Sequence, residues 1–250
     1  MTLTDKISYA AERKAFETLL DNLIKKGQTH DASQVASDLV AMVQRLHGDV
    51  WSEKSFQTLR MIANDPNGKW AHYTQRLLRD NDPYILKTFL TNAVYEGGIR
   101  GYHVAQETAA KYDINVPWLI LMDPTSACNM HCTGCWAAEY GHKQSLTFEE
   151  MDKTLTEAKA LGTHACLFTG GEPLMRKKDI IRLCEKHRDI AFHAFTNGTL
   201  IDDEFCKEML RVGNFFVSVS IEGFEEANDG RRGNGHFQRA LAAMDLMRSY

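Results

Sequence analysis

Apolar positions in the first 115 residues recur at helical spacing. Phe16, Leu19, Leu20, Leu23 and Ile24 form one stripe, and Val35, Leu39, Met42, Val43 and Leu46 form a second, the pattern that gathers side chains on one face of an α-helix. Gly27 is expected to end the first helix, and Asp31 or Ser33 to cap the second. Asp82-Pro83 sets an N-cap carboxylate before a proline at the first helical position, and Gly97-Gly98 is expected to close that helix after Ile85, Phe89, Leu90 and Val94. Five or six helices are therefore expected before residue 115. Met and aromatic residues at this spacing build core, and none of these helices carries a chemical signature.

From Pro117 the rhythm becomes a short apolar run, a glycine or polar turn, then an amphipathic helix. Strands are expected at 118–122, 165–169, 191–196 and 215–220, and helices at 148–161, 178–187, 204–212 and 237–250. Four strand–helix units in succession predict an α/β fold with a parallel sheet over residues 116–250, preceded by an all-helical domain over 1–115 whose role the residues do not reveal. In such sheets the chemistry gathers at the carboxyl ends of the strands.

Composition narrows the classes. The chain has 250 residues, 44% of them hydrophobic, and a net charge of -4, so a core can form and no polyanion-binding surface is indicated. The longest basic run is Arg176-Lys177-Lys178. It suits a solvated helix start or an anionic substrate, and nucleic acid is not an expected partner. No apolar run approaches the ~18 residues of a membrane span, and Met1 to Lys6 lack the basic and apolar regions of a signal peptide. Six cysteines are too few for a disulfide scaffold, and three of them fall within eight positions. A reducing, cytoplasmic setting is therefore expected.

Those three are Cys128, Cys132 and Cys135, spaced Cys-x3-Cys-x2-Cys on the loop after the first strand. Three thiols on one loop can converge on a metal centre, yet structural zinc takes four protein ligands and a four-iron cluster normally takes four thiolates. A missing fourth ligand leaves a coordination position open to an exogenous chelator. Zinc completed by His131 or His142 is the alternative. Gly170-Gly171-Glu172-Pro173 follows the second strand, with glycines that permit close backbone approach and a carboxylate that can accept from an ammonium. Asn197 ends the third strand within Thr196-Asn197-Gly198. On the fourth, Phe215, Val217, Val219 and Ile221 share one face while Ser218, Ser220 and Glu222 share the other, an alternation suited to a barrel wall that binds a polar ligand.

Taken together, these motifs resemble the radical S-adenosylmethionine (radical SAM) family. The resemblance implies that Cys128, Cys132 and Cys135 hold a [4Fe-4S] cluster whose open iron binds the amino and carboxylate groups of S-adenosylmethionine. It implies cofactor contacts at Gly170, Gly171, Glu172, Asn197, Ser218, Ser220 and Glu222, with Arg232 of Arg231-Arg232-Gly233 pairing with the cofactor carboxylate. A β-branched side chain at position 171 is then expected to exclude the cofactor and leave the cluster intact. The family's core has six strand–helix units, so the chain is expected to form an incomplete (βα) parallel barrel of four, cut short after Tyr250. It also departs from the family in placing Gly134, rather than an aromatic residue, before the third cysteine, with Trp136 just after.

The resemblance implies reductive cleavage of S-adenosylmethionine to a 5'-deoxyadenosyl radical that abstracts hydrogen from a substrate the sequence does not identify, with an electron donor to the cluster. The alternative is a noncatalytic zinc or iron–sulfur module that docks a partner. Cys166, Cys184 and Cys206 are expected to be ordinary buried thiols. Glu139, Tyr140 and His142 are loop residues that can face a substrate or solvent, and His193 either points into the barrel or is a satisfied core histidine.

Overall fold

The computed structural model describes residues 3–47, 52–65, 67–137, 141 and 143–250. Helices α1 (Leu3–Thr29), α2 (Ala32–His47), α3 (Glu53–Ala63), α4 (Lys69–Arg79), α5 (Pro83–Leu90) and α6 (Tyr102–Tyr112) come first. The caps are those the sequence names: Asp31 Oδ1 accepts from the Gln34 N–H at 2.9 Å, and Asp82 accepts from the N–H groups of Tyr84 and Ile85. Two expected stops do not act as stops. The first helix passes through Gly27, where a Cβ would stand 2.6 Å from Leu78 Cβ, so the missing side chain serves close packing against α4. Gly97-Gly98 lie inside a π-helical segment, Thr91–Gly101, a wider turn that flexible glycine backbone tolerates.

The chain separates into two compact units, Met1–Tyr95 and Glu96–Tyr250. The division falls before the compositional change at Pro117 because the end of the π-helical segment belongs to the second unit. There Gly101 stands against the Gly162 carbonyl and the His164 ring. In the first unit, apolar clusters such as Leu23, Ile24, Val35, Leu78 and Leu86 hold the helices together.

In the second unit, strands β1 (Ile120–Met122), β2 (Ala165–Phe168), β3 (Ala191–Thr196) and β4 (Phe215–Val219) form one parallel sheet in the order β1-β2-β3-β4. Helices α7 (Phe148–Ala160), α8 (Lys177–Lys186) and α9 (Asp203–Val212) alternate with the strands, and α10 (Glu225–Arg232) and α11 (His236–Arg248) follow β4. Thr147 and Glu150 close a reciprocal capping box on α7, and Asp202 caps α9. The four strand–helix units of the expected incomplete barrel are all present.

Pleating divides the sheet into two faces. Cys166, Phe168, Phe192, Ala194 and Phe215 are buried with Leu155, Ile180, Leu183, Cys184, Phe205 and Cys206, so the three outlying cysteines are core residues. Phe168 stacks on Phe192 with ring centroids 5.6 Å apart. The register runs Leu121, Leu167, His193 and Phe216 in one row across the other face. Leu121 is 60% exposed and Phe195 48% exposed on that side.

Candidate active site

The cysteine loop, residues 123–147, is closed at its own base. Ser126 N–H donates to the Gln144 carbonyl at 2.8 Å, Leu146 N–H to the Pro124 carbonyl at 3.1 Å, and the Thr125 and Ser145 hydroxyls meet at 2.7 Å. Each interval between cysteines then has its own anchor. Between Cys128 and Cys132, the Asn129 amide donates to Thr199 Oγ1 at 2.8 Å and accepts from Asn197 Nδ2 at 2.9 Å. Between Cys132 and Cys135, Thr133 N–H donates to the Arg231 carbonyl at 2.8 Å.

All three thiols are free and half-buried. Burial is the main cause that pushes Cys128 and Cys132 above the ordinary thiol range; Glu172 and the neighbouring thiols reinforce it at Cys128, while Arg232 and Arg231 oppose it at Cys132. Iron binding must therefore displace protons from Cys128 and Cys132. Among the described residues, no three His, Cys, Asp or Glu side chains converge on a point that one metal ion can occupy. A four-iron cluster takes its thiolates on separate irons, so three spaced thiols fit it better than they fit a zinc ion completed by His131. His142, with Glu139 and Tyr140, lies outside the described residues.

The Gly170–Glu172 loop packs against the cysteine loop by backbone contact. Gly171 N–H donates to the Thr125 carbonyl at 3.0 Å and Glu172 N–H to the Ala127 carbonyl at 2.8 Å. A Cβ on Gly171 would stand 2.2 Å from the Ala127 carbonyl oxygen, beside Cys128, and Gly170 has φ +99° with Thr125 O 2.7 Å from where its Cβ would be. The close approach these glycines permit is thus to the protein's own backbone. A side chain at 171 would disturb the cluster loop itself, which corrects the expectation that it would spare the cluster.

Glu172 is 1% exposed. Its Oε1 accepts from Leu174 N–H at 3.0 Å and Thr196 Oγ1 at 2.7 Å, and its Oε2 from Asn197 N–H at 2.8 Å. Burial raises its pKa against the pull of those three donors. A carboxylate has about four acceptor positions, so one remains on Oε2 for a further donor. Asn197 is likewise committed: its Oδ1 accepts from Thr199 N–H and Oγ1 at 2.9 and 2.7 Å.

At the end of β4, Glu222 is gripped by two arginines, with Arg231 Nη1 at 2.9 Å from Oε2 and Arg232 Nη2 at 2.6 Å from Oε1. The Arg232 hydrogen bond is the main cause that holds the Glu222 carboxyl below its ordinary range. Helix α10, which the sequence reading did not identify, delivers both arginines. Ser220 is fixed through its backbone, N–H to the Thr196 carbonyl at 2.9 Å. Ser218 stands apart, its hydroxyl 2.8 Å from His193 Nε2 on the open face of the sheet, so His193 is paired by Ser218 while facing that side. Arg176 and Lys177 are clasps for the same strand ends: Arg176 donates to the Pro124 and Leu146 carbonyls and pairs with Asp179, and Lys177 pairs with Asp202.

Two buried residues that the sequence reading passed over tie these parts together. Asn228 Oδ1 accepts from Glu222 N–H at 3.2 Å, and Asn228 Nδ2 meets His236 Nδ1 at 2.9 Å. His236 Nε2 reaches the Asn197 carbonyl at 2.9 Å. The set assigns the tautomer: Nδ1 accepts from the amide and Nε2–H donates to the carbonyl. Of the expected site residues, Glu172 meets Asn197 and Glu222 meets Arg232 directly, while the cysteines couple electrostatically to both pairs.

Residues 122–250 match the Radical SAM superfamily. The chain belongs to the radical SAM superfamily. Membership implies a [4Fe-4S] cluster and S-adenosylmethionine, and the three-thiol donor set fits the first. The radical SAM core is 36% identical over 131 residues to Fe-coproporphyrin III synthase of Methanosarcina barkeri, covering 50% of this chain and 33% of that protein. It is 31% identical over 155 residues to the serine-type anaerobic sulfatase-maturating enzyme of Bacteroides thetaiotaomicron, covering 54% of this chain and 37% of that one. A solved structure described as native anSMEcpe with bound AdoMet and Cp18Cys peptide has 26% identity and a TM-score of 0.46, covering 54% of this chain and 41% of that one. The chain thus spans about a third of the length of these curated relatives. No helix among the described residues is long and apolar enough to cross a membrane.

Proposed function

We propose that this chain binds and activates S-adenosylmethionine at a cluster held by Cys128, Cys132 and Cys135, and directs the resulting radical at an organic substrate over the open face of the sheet. When bound, a [4Fe-4S] cluster supplied with an electron by an external donor cleaves S-adenosylmethionine to methionine and a 5'-deoxyadenosyl radical that abstracts hydrogen. The chain's own residues bind, orient and shield. Glu172 offers its remaining acceptor to the cofactor's ammonium, and Gly170, Gly171 and Asn197 hold it in place. Arg232 exchanges part of its pairing with Glu222 for the cofactor's carboxylate, Ser220 lines the wall beside it, and Ser218, paired with His193, lies farther along the same strand.

The observation that carries this reading is the separate anchoring of each cysteine interval, the first to Asn197 and Thr199 after β3, where Asn197 also bonds Glu172, and the second to Arg231 of α10, which also pairs with Glu222. A loop so held presents three thiols before any metal arrives. The six free cysteines suit a reducing, cytoplasmic compartment, which we infer as its location. The core aligns with relatives named for a porphyrin and for a sulfatase, so the substrate is set by residues around the core.

Anaerobic reconstitution with iron and sulfide tests the proposal. About four irons per chain, together with 5'-deoxyadenosine formed from S-adenosylmethionine under reduction, is the expected result. One zinc without sulfide would overturn it.

A further inference from the structure

Beside the cysteine loop lies a cavity of about 340 Å³ lined by Asp123, Ser126, Trp136, Gln144, Leu146 and Gly170, with Ala137 and Ser145 completing the wall. It borders the cluster loop at both ends, since Ser126 precedes Cys128 by two residues and Trp136 follows Cys135. It also sits at the carboxyl end of β1, where Asp123 continues the alternation that puts Leu121 on the open face of the sheet. The three cysteines, Glu172 and Glu222 do not line it; Gly170 does, so the cavity adjoins the cofactor groups and shares one residue with them.

Asp123 is unlike the other acids around the strand ends. Glu172 has three donors, Glu222 two arginines and Asp179 two arginines. No donor or cation among the described residues pairs with Asp123, and burial alone, with no compensating donor, raises its pKa. The nearby guanidinium of Arg176 is spent on Asp179 and on the carbonyls of Pro124 and Leu146. Asp123 is exposed to the cavity, so its carboxylate is accessible to a bound cation as a counter-ion. Across the same cavity stands Trp136, 55% exposed, and an indole face is the best side chain for attracting a cation. The side-chain amide of Gln144, which makes no hydrogen bond to the described residues, adds a neutral polar group.

We infer that this cavity recognises a cationic amine of the substrate, an alkylammonium such as a lysine side chain, with Asp123 as its counter-ion and Trp136 as its apolar wall. The inference rests on the radical SAM reading and adds the charge of the substrate. A carboxylate at this position repels an anionic group, so it selects an amine-bearing molecule over a carboxylate-rich one such as a coproporphyrin.

The test uses the anaerobically reconstituted full chain and ligand-observed saturation-transfer NMR. The probes are Nα-acetyl-lysine methylamide, its neutral isostere Nα-acetyl-norleucine methylamide, and coproporphyrin III. The lysine probe should bind saturably, the norleucine probe should not, and Asp123→Asn should weaken the lysine probe by about tenfold, as loss of a hydrogen bond to a charged group does. Equal binding of the neutral isostere, undiminished binding to Asp123→Asn, or Asp123-dependent binding of coproporphyrin III would each overturn the inference. Should Asp123→Asn fail to take up iron, Gln144→Lys decides. A tethered ammonium facing Asp123 should displace the probe, and unchanged affinity there also overturns it. The two readings fail separately. A chain that cleaves S-adenosylmethionine without binding the lysine probe loses only the cavity assignment, and one that binds the probe without loading iron loses only the radical chemistry.

Discussion

The two ends of the parallel sheet bury polar groups in different ways. At the amino-terminal ends of the strands, Asn214 is fully buried and its amide nitrogen lies 3.1 Å from each of the carbonyls of Cys184, His187 and Ile190. His164 meets the Asp189 carbonyl at 2.9 Å, and Asp189 pairs with Lys159 at 2.8 Å. Those groups join helices to strands, and the atoms they leave over among the described residues are the Asn214 amide oxygen and the His187 Nδ1, both buried without a partner. At the carboxyl-terminal ends the buried polar groups hold loops rather than helices, and they keep chemistry in reserve: three thiols, an acceptor on Glu172, and two arginines sharing Glu222. Burial of polar groups by itself does not mark function. What distinguishes the functional end is the kind of capacity left over: thiols, a carboxylate oxygen and shared guanidinium groups, against an amide oxygen and a ring nitrogen at the other end.

The strongest break of that comparison is at the cysteines. Replacing Cys128, Cys132 or Cys135 by Ala should abolish cluster assembly, because none of the three thiolates is redundant. Cys166→Ala, Cys184→Ala and Cys206→Ala should keep it, at a modest cost in stability from the cavity each leaves in the core. Iron and sulfide analysis with low-temperature electron paramagnetic resonance reads both sets; loss of the signal in the second set would mean that the wrong thiols are assigned.

Gly171→Ala ranks next. The added Cβ meets carbonyl oxygens of Ala127 and Ser126 at 2.2 and 2.5 Å, and backbone atoms cannot rotate away as a side chain can. The cysteine loop must shift, so iron content after reconstitution should fall well below wild type while the melting temperature changes little. Full iron content in this variant would show that the loop tolerates displacement and that its anchoring is not what presents the thiols.

How much of this was legible in the sequence depended on distance along the chain. The cysteine triad could be read because its ligands share one loop, and the strands because Phe215, Val217 and Val219 alternate with Ser218 and Ser220. The network of Asn228, His236 and Asn197 could not, since its members lie on three elements and neither residue type nor period marks them. The role of Gly171 was misread for a related reason: a glycine's need for space is visible in sequence, but the group that fills the space is not. The two-residue spacing from Ser220 to Glu222 named a candidate carboxylate, yet only α10 shows that Arg231 and Arg232 already hold it.

A matched pair of variants sharpens the contrast between the two ends. Asn214→Ala strips the bonds to three buried carbonyls and should cost about 2–3 kcal/mol of stability, read from the denaturant midpoint, with iron per folded chain unchanged. Glu172→Gln should cost a similar or smaller amount, about 1–3 kcal/mol, because the new amide N–H faces a backbone N–H and leaves it unpaired. That variant should also lower affinity for S-adenosylmethionine, since the Oε2 acceptor and the charge are altered together. If both variants change only stability, Glu172 is a strut like Asn214 and the difference drawn between the ends is lost at that residue.

The smallest expected effect is on pH dependence, where a deeply buried histidine at one end, His164, can be set against one at the other, His236. His164 and His236 are 2% and 0% exposed, and burial is the leading cause that lowers the pKa of each below the ordinary imidazole value. With a folded pKa below the unfolded value of about 6.5, each histidine contributes stability that is fully present above that pH. As the pH falls through it, the unfolded chain takes up a proton that the folded chain refuses, and stability declines until the pH passes below the folded pKa. The consequences then diverge. The Nδ1 of His164 already donates to the Asp189 carbonyl, with Asp189 Oδ2 3.7 Å away, so the imidazolium formed by protonation at Nε2 has a counter-charge beside it. The Nδ1 of His236 accepts from Asn228 Nδ2, so a proton there sets donor against donor and cuts the link from Glu222 to Asn197. Denaturation of the metal-free chain between pH 7.5 and 5.5 should therefore show a slope that His236→Gln reduces more than His164→Gln does. An equal reduction by both would mean that the Asn228 contact adds nothing to burial, and that the two ends respond to protons alike.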